Sequence, residues 1–240
     1  MLFRSGRFID INNLEEAKIK YVINKYSALK EFTSERDYYD YVKTIDLTLV
    51  SLEKTKSETE EEARSLFIKW VNEFDLETLK RELLIVADNH LISRHEVFKF
   101  INEPLRLEFL TALTLQKHFT NIKVIPHYSY DDEGMPTSFA PGGTADITCL
   151  DEEGNVLFEV SLIRGRQQVS NEMIPIERHL KEVRAQDPKA FSVFLAPNLH
   201  PDTITFAQFA KYRDDMEIVP IEIIRFVNEL DQITGIRNYA

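Results

Sequence analysis

The sequence predicts an α/β domain preceded by an all-helical N-terminal region. Three observations carry this. First, no glycine occurs between Gly6 and Gly134, and the first proline is Pro104. A stretch free of both breakers and rich in Leu, Glu and Lys reads as helices. Second, short apolar runs suited to strands appear only beyond Pro104 and alternate with helical segments, the order expected of an α/β sheet. Third, 43% apolar residues and 16 Phe among 240 residues provide core material for one large domain or two small ones and exclude wholesale disorder. The texture divides the chain into a helical region, 1–100, and an α/β domain, 101–240.

In chain order, helices are expected near 12–31, 35–55, 59–73, 76–88 and 94–102. Ser57-Glu58-Thr59-Glu60 and Ser93-Arg94-His95-Glu96 have capping-box spacing. Asp75 can cap the run from Leu76, and Phe67, Val71 and Phe74 form a stripe at helical spacing. A helix from Pro104 to Phe119 opens with proline in its first turn, where the missing N–H costs nothing. Strands follow at Lys123–Tyr130, Ala145–Leu150, Val156–Leu162 and Phe191–Ala196, with a helix near Pro175–Ala185 before the last. Helices near 202–212 and 222–231 flank a short run, Glu217–Ile221.

Charge and cysteine narrow the function classes. Lys plus Arg total 29 against 40 for Asp plus Glu, a net charge of −11. That balance argues against tight non-specific nucleic-acid binding by the isolated chain. Residues 1–100 hold 16 basic and 19 acidic side chains and the remainder 13 and 21, so the acid excess sits mainly in the α/β half. One cysteine, Cys149, excludes an intrachain disulfide framework and any Cys-rich zinc site. No stretch approaches 18 uninterrupted apolar residues, so neither a membrane span nor a secretory leader is expected, and a cytoplasmic location follows.

The residues able to carry chemistry lie between Glu108 and His179. Asp151-Glu152-Glu153-Gly154 suits a three-residue hairpin with Gly at a left-handed position. Counting outward from it brings Asp146 and Glu159 opposite, or nearly opposite, on adjacent strands. Val156, Phe158, Val160 and Leu162 fall on one face of the second strand, and Leu157, Glu159 and Ser161 on the other. Two facing carboxylates among apolar neighbours repel and resist ionisation, a conflict that a hard divalent cation such as Mg²⁺ resolves. Glu108 lies on an apolar stripe with Leu105, Ala112 and Leu115 and needs a partner. The alternatives are a satisfied acid at the core rim for Glu108 and outward-facing carboxylates on an edge hairpin for the pair. Arg164, Arg166 and Gln168 offer donors for a phosphate, although a solvated loop explains the arginines equally well. Glu172 and His179 are seven apart, on one face of any helix covering both, and His179 can serve as acid, base or donor. No Gly-rich phosphate loop, nucleophile elbow or zinc-helix motif is present.

A helix bearing Glu, then Asp on one strand and Glu on the next, resembles the PD-(D/E)xK nucleases. Pro141-Gly142-Gly143 ahead of Ala145-Asp146-Ile147, then Glu159-Val160-Ser161-Leu162, Gly165, Gln168, Glu172 and Arg178-His179-Leu180, is similar to the AlwI-type restriction endonucleases, type IIS enzymes with strand-nicking relatives and small catalytic subunits of heterodimeric enzymes. The resemblance covers about residues 100–225. It implies a restriction-endonuclease-like mixed sheet flanked by helices, with Asp146, Glu159 and Glu108 as metal ligands and Glu172 and His179 completing the catalytic set. It also implies Mg²⁺ as cofactor, with Mn²⁺ as substitute, and duplex DNA as substrate. Ser161 stands where many PD-(D/E)xK members have lysine, and the resemblance implies that AlwI-type members share this Ser or a similar small residue. Residues 1–100 resemble the linker between recognition and cleavage regions. With no helix-turn-helix or basic recognition helix in view, a DNA-recognition large subunit or domain is the expected partner. The rivals are a catalytically inactive nuclease-fold subunit acting as an interaction module, and a helical adaptor attached to an α/β domain.

Overall fold

A computed structural model describes residues 60–88 and 90–239. The helices expected at 12–31 and 35–55, and the Ser57 cap, lie outside the described residues. The chain divides into compact units at Met1–Glu62 and Ala63–Ala240, and the second carries the sheet.

Helix α1 covers residues 60–73 and α2 covers Leu76–Ala87. Asp75 separates them, its carboxylate accepting the Thr78 N–H at 2.6 Å as an N-cap. The stripe Phe67, Val71, Phe74 is buried and continues through Leu79, Leu83 and Val86 of α2. The helix expected at 94–102 is absent; a single 3-10 turn, Phe98–Phe100, stands there. The Ser93 hydroxyl accepts the His95 N–H, as an N-cap would, but also donates to Glu82 Oε2 of α2 at 2.6 Å, which ties the segment to α2. Packing also overrides propensity in this segment, because Phe98 is wedged between Phe74 and Phe109, with centroids 4.7 and 6.3 Å away.

Helix α3, Glu103–His118, has Pro104 in its first turn and buries every side chain from Leu105 to Gln116. It lies against a five-stranded sheet in the order β1-β4-β5-β6-β7. These strands are β1 Lys123–Pro126, β4 Ile147–Asp151, β5 Gly154–Val160, β6 Phe191–Ala196 and β7 Ile218–Glu222. β1, β4 and β5 are antiparallel neighbours, whereas β5, β6 and β7 run parallel. Parallel neighbours need crossovers. Helices α4, Ile174–Arg184, and α5, Pro201–Asp214, supply them, and α6, Ile223–Glu229, follows β7. The strand expected over Lys123–Tyr130 breaks at His127–Tyr128. Its end, β2 Ser129–Tyr130, pairs instead with the unexpected β3, Pro136–Ser138, in a separate two-stranded ribbon.

Two cores sandwich the large sheet. Val156 and Phe158 of β5 and Val193 and Leu195 of β6 face α3 and α6. Leu157 and Phe194, from the alternate positions, face Met173, Ile176 and Leu180 at α4 and Ala207 and Ala210 of α5. The β4–β5 hairpin is tighter than expected, with Asp151 paired directly to Gly154 around Glu152 and Glu153. Asp151 Oδ1 accepts the Glu153 and Gly154 N–H groups at 2.8 and 3.0 Å, which closes the turn locally. Gly154 takes φ +139°, and the Asp187 carboxylate occupies the space where a Cβ would stand.

Candidate active site

Register places the two strand acids. Ile147 pairs with Phe158, so the next step outward sets Asp146 opposite Glu159, on the face away from α3. Asp146 Oδ2 accepts the Val160 N–H at 2.8 Å, which ties the end of β4 to the end of β5. Glu159 is buried and its Oε1 lies 2.9 Å from His179 Nδ1 on α4. A π-helical turn, Val169–Met173, leads into α4 and carries Glu172. Ser161 donates to Glu172 Oε1 at 2.7 Å and accepts the Ile163 N–H. Glu108, Ser161 and Glu172 line a cleft of about 450 Å³ with Pro104, Phe139, Val160, Leu162 and Ile163. Five elements thus bring Glu108, Asp146, Glu159, Glu172 and His179 to one end of the sheet.

The four acids all resist ionisation. Asp146 is pushed well above the ordinary carboxylate range, first by burial and then by the charges of Glu159 and Glu108, with the Val160 N–H opposing. Glu108 is raised to about 7 by burial, opposed by the Ala140 N–H and reinforced by Glu159. Burial raises Glu159 against the pull of His179, and raises Glu172 against the Ser161 hydroxyl. Of the five site residues, two have a polar atom buried without a hydrogen-bond partner, Glu108 Oε2 and His179 Nε2. Among the described residues, no three His, Cys, Asp or Glu side chains converge closely enough to hold a metal ion as they stand. The donor set nevertheless has the right chemistry for a hard cation, since it consists of oxygen ligands crowded together with unbalanced charge.

The polar stretch after β5 is less available than expected. Arg164 donates to the Ala87 carbonyl at the end of α2, and Arg166 pairs with Asp202 at 3.2 Å. Gln168 is fully buried and saturated. Its amide nitrogen donates to the Ile163 and Asn198 carbonyls, and its oxygen accepts from the His200 N–H and the Thr203 hydroxyl. It clips the loop after β5 to the end of β6 and the start of α5, so it has no donor left for a phosphate.

Three residues beside the acids escape sequence reasoning. Tyr128 is buried, and both burial and the charge of Glu108 hold its phenol above the ordinary range. His127 lies 2.9 Å from the Thr148 hydroxyl and lines, with Thr144, Asn155, His179 and Gln186, a second cleft of about 350 Å³. Phe139 lies on the wall of the first cleft. The break after Pro126 brings His127 and Tyr128 here, and an apolar periodicity count gives no sign of it.

A mixed sheet with acids at the ends of two adjacent antiparallel strands, joined by acids from a packed helix and a flanking turn, is the arrangement of a restriction-endonuclease-like nuclease. The chain belongs to the AlwI restriction endonuclease family, which matches residues 9–228. It is similar to the crystal structure of the small subunit, R.BspD6I2, of the heterodimeric restriction endonuclease R.BspD6I. Identity is 26% and the TM-score 0.54, over 65% of this chain and 78% of that one. No curated protein matches. Among the described residues no helix is long and apolar enough to cross a membrane.

Proposed function

We propose that this chain is the catalytic unit of a metal-dependent, type IIS DNA endonuclease that hydrolyses a phosphodiester in one strand of a duplex, with sequence recognition supplied by another subunit or domain. The observation that carries this is the gathering of Asp146, Glu159, Glu108 and Glu172, all with raised proton affinity, at one end of the sheet, where Glu108 and Glu172 line an open cleft. Asp146 and Glu159 would hold the ion, with Glu108 beside them. A divalent cation there, Mg²⁺ or Mn²⁺, supplies charge stabilisation for the phosphoryl group and lowers the pKa of a bound water. The chain's own groups divide the remaining work. His179 fixes the rotamer of Glu159 through Nδ1. With that nitrogen donating, Nε2 is left as a hydrogen-bond acceptor. Ser161 spends its hydroxyl proton on Glu172, so it orients that carboxylate rather than replacing a lysine. Glu172, lining the cleft with raised affinity for a proton, suits the role of acceptor.

The division of labour rests on charge. A net charge of −11 and the engagement of Arg164 and Arg166 with protein oxygens leave little to attract a polyanion. The test is cleavage of supercoiled plasmid in Mg²⁺ and Mn²⁺, with and without a candidate large subunit, by the wild type and by Asp146→Asn. Metal-dependent nicking that Asp146→Asn abolishes is expected. Nicking that survives the substitution sinks the assignment. The spacing of the acids as they stand favours a second reading, an inactive interaction module. That reading expects complex formation with no cleavage in either metal.

A further inference from the structure

The acidic cleft poses a problem for any DNA strand that enters it. Its polar lining, Glu108, Ser161 and Glu172, offers carboxylates and a committed hydroxyl, and no cationic side chain lines it among the described residues. The rest of the lining is apolar: Pro104, Phe139, Val160, Leu162 and Ile163. Phe139 stands out there. It is 52% exposed, directly after β3, and its neighbour Ala140 turns its N–H toward Glu108. An exposed phenyl ring held at the mouth of a site that repels phosphate is suited to the uncharged parts of a nucleotide. Packing against a deoxyribose is sequence-tolerant, because every nucleotide carries the same sugar. Such tolerance fits a cleavage unit that leaves sequence reading to a partner.

We propose that Phe139 is a positioning residue for DNA, packing its ring on the deoxyribose of a nucleotide flanking the scissile phosphate. This rests on the nuclease reading above. The ring supplies affinity and register at the cleft without charge, so its contribution is insensitive to salt, unlike contacts made through Lys or Arg.

The test uses the full chain and a short fluorescein-labelled duplex of arbitrary sequence, at low ionic strength with Ca²⁺ as the hard cation. Anisotropy is recorded across a salt series for the wild type and for Phe139→Ala, Phe139→Leu, Phe139→Tyr and Phe139→Trp. Alanine and leucine should weaken binding roughly tenfold at every salt concentration, with the slope of log affinity against log salt unchanged. Tyrosine and tryptophan should restore binding, and the duplex should quench the added indole relative to the Trp70 background of the wild type. Wild-type affinity in Phe139→Ala, together with an indole that does not respond to duplex, overturns the inference. If that occurs while wild-type chain still nicks plasmid and Asp146→Asn does not, the nuclease reading survives and only the role of Phe139 falls. If the wild type neither binds nor cuts duplex in any metal or complex, the nuclease reading falls and this inference with it.

Discussion

Asp146 and Glu159 share a face but not an environment. Asp146 has one backbone N–H for company and is crowded by three carboxylates, whereas Glu159 has His179 at 2.9 Å. A carboxyl whose folded pKa exceeds its unfolded value binds more protons in the folded state, so stability falls as pH rises between the two values. For Glu108 that window runs from the ordinary 4.5 to about 7. The metal-free protein should therefore lose melting temperature across that window, and added Mg²⁺ should restore more at pH 8 than at pH 5. Calorimetry across the pH series with EDTA and with Mg²⁺ checks this, and an Mg²⁺ effect independent of pH would count against a carboxylate site. Asp146→Asn and Glu159→Gln should each abolish cleavage and keep the native circular dichroism. Above pH 7 without metal, Asp146→Asn should melt higher than the wild type, because it removes a repelled charge while keeping an oxygen for the Val160 N–H.

The β4–β5 hairpin sets the register that brings the acids opposite each other. Gly154→Ala would thrust a methyl group into the Asp187 carboxylate at a backbone angle hostile to alanine. A loss of roughly 1–3 kcal/mol in denaturant unfolding is expected. Cleavage measured below the melting point tells whether the hairpin slips as well. The pairing of Asp146 with Glu159 was legible in the sequence because strand side chains alternate strictly and both strands are bounded by turn residues. Residues 60–87, α3 and β6 were legible for the same kind of reason, since breakers and periodicity agree there. The segment 94–102 was not, because Glu82 of α2 anchors Ser93 and Phe98 is drawn into the aromatic cluster, so that only one 3-10 turn forms. Nor was the break at His127–Tyr128, where the residue pattern still suits a strand and tertiary pairing with β3 decides. Gln168 looked like a phosphate donor only because its four buried partners lie on segments remote in sequence.

At the scale of the whole molecule, charge governs association. Non-specific affinity for duplex comes from phosphates neutralised by clustered cations. Among the described basic residues near the site, Arg164, Arg166 and Arg184 are held by Ala87, Asp202 and Asp215, which leaves Arg178 and Lys181 of α4 exposed without a side-chain partner. The isolated chain should therefore bind plain duplex weakly at physiological salt, and nicking should rise steeply when a recognition partner supplies affinity. Anisotropy and nicking rates in matched salt, with and without that partner, measure both. Tight site-specific binding by this chain alone would instead place a recognition element within residues 1–100. Loosening the Gln168 clip should make any cleavage by this chain sensitive to heat. Gln168→Glu would change one nitrogen to oxygen and turn it against the Ile163 and Asn198 carbonyls, removing donors at a fully buried point where three segments meet. A deficit of about 2–4 kcal/mol is tolerable in the cold and ruinous near the melting point. That variant should cut at low temperature, stop on mild warming and resume on cooling, giving an endonuclease whose action in a living cell can be timed with a water bath.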